Sequence, residues 1–284
     1  MREVFRGSEA IATGVLTEYQ LRRWYRPIFR DVYVPKRYEP SLRDRTVGAW
    51  LWSCRRAIVA GVAASALHGA QWVDNDIRIE LIAPSARPHR GLLVRNETLG
   101  DDEVTRVAGL PVTTPARTAF DLGRHQVRGA AAFRLDALMH ATPFSTEEVL
   151  LLAKRYRGAR GLQRLRRVLP LVDGGAASPK ETWLRLLLLD AGLPSPTTQI
   201  PVADGWGIVA ALDMGWENFM VAAEYDGDHH RSDRRRYVRD IARIRKLERM
   251  GWIVVRVIAE DRPSDIIARV KEALASRGYR PHRR

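Results

Sequence analysis

Three carboxylates, Asp213, Glu224 and Asp226, sit inside two short apolar runs, residues 210–214 and 220–226. That placement limits what this chain can fold into more than any other feature. Both runs have the length and alternation of strands. Strand side chains alternate faces, so Glu224 and Asp226 point one way and Tyr225 the other. A hairpin through Trp216, Glu217 and Asn218 would bring Asp213 beside Glu224. Carboxylates gathered at the end of an apolar sheet repel one another, and they coexist only with a cation or shared protons. The pattern predicts a metal centre on Asp213, Glu224 and Asp226. Its all-oxygen donor set favours Mg2+ or Mn2+ over zinc.

The neighbouring residues extend this site. Ser178, Pro179 and Glu181 form a capping-box opening for a helix over 181–191. Glu181 either caps that helix or adds a fourth carboxylate. Beyond Asp226, Gly227 permits a turn that places His229 and His230 close by. His230 is the expected general base or acid, and His229 faces solvent. A helix over 233–250 carries Asp240 and Arg243 one turn apart, able to orient each other near the site or to pair on the surface. The same helix holds Arg235 and Arg239, a basic rim suited to a phosphodiester. Arg256, in the apolar strand 253–258, leans toward the site or lies at a sheet edge. The chemistry expected of such a site is metal-assisted hydrolysis with in-line attack by a bound water.

Charge points to the same partner. The chain carries a net charge of +14 over 284 residues, which favours a polyanion. Its first forty residues suggest a helix over 4–12, a second helix opened by Thr17 and Gln20, and a strand over 28–35. Arg22, Arg23, Arg26, Arg30, Lys36 and Arg37 interleave there with Trp24, Tyr25, Tyr33 and Tyr38, as in a winged helix gripping DNA phosphates. Residues 41–175 form a middle region, with helices expected at 42–53, 57–68, 126–140, 145–156 and 159–171. Within it, Lys154, Arg155, Arg157, Arg160, Arg164, Arg166 and Arg167 form a solvated helix face or a phosphate-tracking surface. A flexible linker over 173–177 leads into a third region, 178–284. The lone Cys54 excludes a disulfide framework and reads as a small buried residue. No signal peptide or apolar run of membrane-spanning length is visible, so the expected location is the cytoplasm.

Residues 212–216, 223–230, 237–243 and 251–257 together resemble the endonuclease-domain family related to very-short-patch-repair endonucleases, within the PD-(D/E)xK superfamily. That resemblance implies a restriction-endonuclease-like α/β domain with a mixed sheet. It carries Asp213, Glu224 and Asp226 over as the metal-binding core, with Glu181, His230, Asp240 and Arg243 as accessory positions. The superfamily pattern places a lysine two residues after the second acid, where this chain has Asp226. The N-terminal part, through residues 30–35 and 114–122, resembles AbiEi-type antitoxin and regulator proteins, which implies DNA binding and autoregulation.

The combined expectation is an α/β protein with a winged-helix-like α+β region (1–40), an AbiEi-like α+β middle domain (41–175) and an endonuclease-like domain (178–284). Its function would be metal-dependent cleavage of double-stranded DNA. The alternative is a non-catalytic DNA-binding regulator or antitoxin with a degenerate nuclease domain. A homodimer is compatible with either, and a protein partner with the second.

Overall fold

The computed structural model describes residues 3–84, 89–205, 207–226 and 234–280, the side chains of 234–238 excepted. The chain divides into two compact units, Met1–Pro170 and Leu171–Arg284.

The first unit opens with β1 (Phe5–Arg6), α1 (Gly7–Ala12), α2 (Glu18–Trp24), β2 (Tyr25–Phe29) and β3 (Val32–Pro35). The strands form an antiparallel sheet in the order β1-β3-β2. The start of the helix expected over 4–12 is a strand instead, because Phe5 pairs with Tyr33 and packs edge-on against Tyr25. The single strand expected over 28–35 is instead the end of β2, a turn and β3 of one hairpin. Asp31 takes φ 61 at its turn, and its carboxylate accepts hydrogen bonds from the Ser8 amide and hydroxyl. Thr17 and Gln20 form the expected capping box, so α2 begins where the sequence marks it.

Next come α3 (Leu42–Trp52), β4 (Ile58–Ala60), α4 (Gly61–Leu67), β5 (Ile79–Ile82), β6 (Leu92–Arg95), β7 (Val104–Val107) and β8 (Leu110–Thr113). The five strands make a mixed sheet in the order β6-β5-β4-β8-β7. The helix expected over 57–68 starts late. Residues 58–60 pair on both sides with β5 and β8, and Gly61, at φ +58, turns the chain into α4 where a Cβ would strike Glu80. Val59, Ile79, Leu81 and Val112 are fully buried, and Val4, Phe29, Val32 and Val34 belong to the same core. The first forty residues thus share one interior with the sheet that follows. Cys54, expected inside, is exposed in a turn where it and Arg55 both take positive φ. Four helices complete the unit: α5 (Pro115–His125), α6 (Arg128–Ala141), α7 (Thr146–Arg155) and α8 (Leu162–Val168).

The second unit runs α9 (Pro179–Asp190), β9 (Thr197–Asp204), β10 (Gly207–Trp216), β11 (Val221–Tyr225), α10 (Arg234–Arg249), β12 (Ile253–Val257) and α11 (Pro263–Ser276). Its four-stranded mixed sheet has the order β12-β11-β10-β9, with β11 and β12 parallel. One core gathers Leu184, Leu188, Val221, Ala223, Val255, Val257, Ile266 and Leu274 from the sheet, α9 and α11. A second gathers Ile200, Leu212, Ala222, Leu247 and Trp252 from the sheet, α10 and the turn after it. The expected linker over 173–177 is tied into this unit. The Asp173 carboxylate accepts hydrogen bonds from the Thr198 hydroxyl, at 3.0 Å, and from the Gly175 amide.

Candidate functional site

The hairpin joining β10 and β11 forms as the alternation requires. Met214 pairs with Ala223 and Trp216 with Val221, with Met220 at φ 53 in the connecting turn. Asp213 consequently arrives beside the end of β11, where its Oδ2 accepts the Tyr225 amide at 2.8 Å. Asp213, Glu224, Asp226, Asp240, Arg243 and Arg256 line one cleft of about 320 Å3, together with Ala211 and Tyr225. The three carboxylates that the alternation groups thus share one cleft.

Arginines supply the charge that balances most of them. Arg243 donates Nη1 to Glu224 Oε1 at 2.7 Å and Nη2 to Glu224 Oε2 at 2.8 Å. The same guanidinium reaches Asp240 Oδ1 from Nε, at 3.1 Å, and from Nη2, at 2.9 Å. Of the two arrangements the sequence allows, Arg243 and Asp240 thus take the one that faces the site. Arg256 lies on the edge strand β12 and also leans into the cleft, with Nη2 2.5 Å from Asp226 Oδ2 and 2.8 Å from Asp240 Oδ2. Paired, charge-assisted hydrogen bonds of this kind are among the strongest polar contacts a protein makes.

Asp213 stands outside these pairs. Burial pushes its carboxyl up to about 7, helped by the negative charges of Glu181 and Glu224 and opposed by the Tyr225 amide and Arg243. Glu181 is buried at the start of α9 and is not among the residues lining the cleft. Its amide donates to the Ser178 cap, while its Oε2 accepts the Ala177 amide at 2.9 Å and the Gln199 side chain at 3.2 Å. His230 lies outside the described residues, as does the side chain of Arg235; Arg239 is exposed on α10.

A divalent ion needs carboxylate oxygens free to coordinate it. Both oxygens of Glu224 are held by Arg243, Oδ2 of Asp226 by Arg256 and Oδ2 of Asp213 by a backbone amide. As arranged, two arginines and a backbone amide compete with an ion for these oxygens. Among the described residues, the one acid and imidazole trio whose ligand atoms all lie within 4.8 Å of one another is Glu97, Asp121 and His125 in the first unit. The two acids of that trio are likewise bound to guanidinium groups, those of Arg117 and Arg124.

This second network escaped the sequence reading. Arg117 is 1% exposed and bridges Glu97, Glu103 and Asp121, with the Thr98 carbonyl as a fourth partner. It also lies over the rings of Phe120 and Tyr156. Burial raises the Glu97 carboxyl, but His125, Arg124 and Arg117 outweigh it and hold the group at about 2. The signal in the sequence is the spacing of Arg117, Asp121 and Arg124, which share one helix face.

The basic residues of this unit divide into paired and unpaired sets. Arg22 pairs with Glu18 on the surface, Arg26 with Glu39, and Arg23 lies over the Trp24 ring. Arg30, Lys36 and Arg37 are exposed. Arg155 is taken up by Asp102 and Glu103. Lys154, Arg157, Arg160, Arg164, Arg166 and Arg167 are all exposed and, with Arg124 and His125, line a concave surface of about 1120 Å3 that has no carboxylate in its wall. Leu162, Leu165 and Val168 bury the opposite face of α8, which turns its arginines outward.

The comparisons with known proteins agree with this division of the chain. Residues 56–171 match the family model described as the AbiEi antitoxin C-terminal domain, and the match ends at the boundary between the two units. Over 259 residues the chain is 30% identical to two uncharacterized proteins of Mycobacterium tuberculosis, Rv2248 of strain H37Rv and MT2308 of strain CDC 1551. The alignment covers 89% of this chain and 92% of each relative. The chain contains an AbiEi-type domain and, as a whole, belongs to the same family as these mycobacterial proteins. No solved structure matches it.

Proposed function

We propose that this protein is a DNA-binding regulator of the antitoxin type, and that its second unit is a nuclease-like domain without cleavage activity. The observation that carries this reading is the concave surface of α7 and α8, which gathers cations and no carboxylate in its wall. Surface arginines in a folded protein ordinarily find acids nearby, as Arg22 and Arg155 do here. Arg124 and His125 apart, this wall gathers cations with no acid lining it beside them, which suits a phosphate backbone. The AbiEi-type domain supports the same reading, because it includes α7 and α8. A cognate toxin is the protein partner that goes with an antitoxin role.

The test is binding of fluorescent duplex DNA, taken from the protein's own promoter region and from an unrelated sequence, across a range of salt. Replacing Arg160, Arg164 and Arg167 together by alanine should weaken binding and lower the slope of log affinity against log salt by about 3. An unchanged slope in that variant would remove the surface from the reading. In parallel, Arg30→Ala with Lys36→Ala measures how much the N-terminal sheet contributes.

The metal-dependent nuclease remains the second reading, favoured by Asp213, which shares the cleft with Glu224 and is not bonded to an arginine. Incubation of plasmid and linear DNA with Mg2+ or Mn2+ separates the two. Cleavage that disappears in Asp213→Asn and Glu224→Gln would replace the regulator reading by the nuclease one.

A further inference from the structure

The cleft of the second unit has the acids of a metal centre and the hydrogen bonds of an ion-pair cluster. We propose that Arg243 is the resident cation of this cleft: its guanidinium lies between Glu224 and Asp240 and engages the Glu224 carboxylate that a divalent ion would need, so much of the site's negative charge is offset from within the chain.

Three observations carry this. First, Arg243 places one N–H on each oxygen of Glu224, and a carboxylate gripped at both ends by a fixed positive charge is a poor ligand for a second cation. Second, Arg243 is fixed from its own helix by Asp240 through Nε and Nη2, so it is held in place and is not a wandering surface group. Third, Asp240 is shared. Its Oδ1 holds Arg243 and its Oδ2 meets Arg256, which in turn holds Asp226. The result is a continuous chain Glu224–Arg243–Asp240–Arg256–Asp226 that ties β11, α10 and β12 together. Two guanidinium groups along it offset two of the three carboxylate charges. Guanidinium is permanently charged and planar, which suits two-point contact with a carboxylate, and its hydration is weaker than that of a small divalent ion. Among the described residues, no arginine hydrogen bond to Asp213 or Glu181 adds to this chain.

The proposal is about the charge of this cleft and is independent of whether the first unit binds DNA. It makes Arg243 a positioning and charge-balancing residue whose removal should reveal a latent site. The probe is Mn2+ alone, followed by loss of the six-line electron paramagnetic signal of the free ion and by the shift in melting temperature of the full-length protein. Wild type should leave the Mn2+ signal and its own melting temperature unchanged at millimolar ion. Arg243→Ala should bind Mn2+ at least about tenfold more tightly than wild type and melt higher as the ion is added. Adding Glu224→Gln to that variant should abolish the gain.

Wild type that binds Mn2+ with an affinity lost in Asp213→Asn and Glu224→Gln would overturn the proposal, because the cleft would then accept a metal with Arg243 present. Failure of folded Arg243→Ala to gain the ion would overturn it too. Should Arg243→Ala not fold, Arg243→Lys serves in its place. A lysine keeps one charge and cannot hold both Glu224 oxygens in the guanidinium fork, so it should show a smaller gain that Glu224→Gln again removes.

Discussion

Arg243 holds Glu224 by both carboxylate oxygens, across 19 residues of sequence, and it does so inside the cleft where a metal would sit. Glu224 is 6% exposed. Losing its partner would leave a buried charge uncompensated, and the cost of that exceeds the cost of removing both groups together. Arg243→Ala should therefore lower the stability of the second unit by about 2–3 kcal/mol, less than for a fully enclosed pair because Arg243 is partly exposed. Urea denaturation followed by the fluorescence of Trp216 and Trp252 measures this. Equal destabilisation by Arg243→Ala alone and by Arg243→Ala with Glu224→Gln would contradict the pairing, since the double variant should recover part of the loss.

Asp213 gives the second unit a pH dependence with a definite sign. Its carboxyl titrates near 7 when folded, raised by burial and by the facing charges of Glu181 and Glu224 against Arg243 and the Tyr225 amide. Unfolded, it titrates near 3.9. The folded state therefore binds the extra proton between these values. The stability this confers is complete below pH about 4 and lost as pH rises through about 7. Asp213→Asn should have little effect at pH 4 and should stabilise the protein increasingly from pH 5 to pH 8, by an amount on the order of a few kcal/mol at most. Melting curves of the two proteins that run parallel from pH 5 to 8 would show that Asp213 does not titrate in this range.

Arg117 is the keystone of the first unit. Its guanidinium serves Glu97, Glu103 and Asp121 at 1% exposure, so its loss strands several buried acids at once. Arg117→Met should cost more than about 4 kcal/mol and prevent the first unit from folding, as judged by circular dichroism and soluble yield. Arg117→Lys should fail in the same way, because an ammonium cannot span three carboxylates and the Thr98 carbonyl from one position. Native-like melting of either variant would show that the network is dispensable.

The sequence made the second unit legible because its signals are local. Alternation in 220–226 marks β11, the Ser178 cap and Gly192 bound α9, and the apolar stripe of Tyr237, Ile241, Ile244 and Leu247 marks α10. The convergence of Asp213, Glu224 and Asp226 follows from the same alternation once the hairpin is drawn. What alternation cannot supply is the identity of the balancing charge. Arg243 and Arg256 reach their acids from 19 and 30 residues away. From the sequence, Arg243 could equally have faced solvent beside Asp240. The Arg117 network was hidden for the same reason, since Glu97 lies 20 residues before Arg117 in a segment without a regular element. In the N-terminal region the failures are of another kind. Residues 5–6 and 58–60 read as part of the starts of helices and became strands because partners elsewhere claimed their backbone groups.

Gly161 links the shape of the basic surface to its charge. It takes φ +85 at the entry to α8, and a Cβ there would come within 2.2 Å of the Arg124 carbonyl oxygen. Both facts exclude a side chain: the first because the left-handed region strains an L-residue, the second because backbone blocks the space. The close approach sets α8 against the end of α5 and so places Arg160, Arg164 and Arg167 on the same concave wall as Arg124 and His125. Gly161→Ala should destabilise the first unit by about 2–4 kcal/mol. It should also weaken duplex DNA binding at a temperature where the variant is still folded, although no cation has been removed. Gly158→Ala, at a position with open space around its Cβ, is the control and should leave both properties near wild type. Loss of stability in Gly161→Ala with full DNA affinity retained would mean that the arginines of α8 bind independently of where α5 holds them.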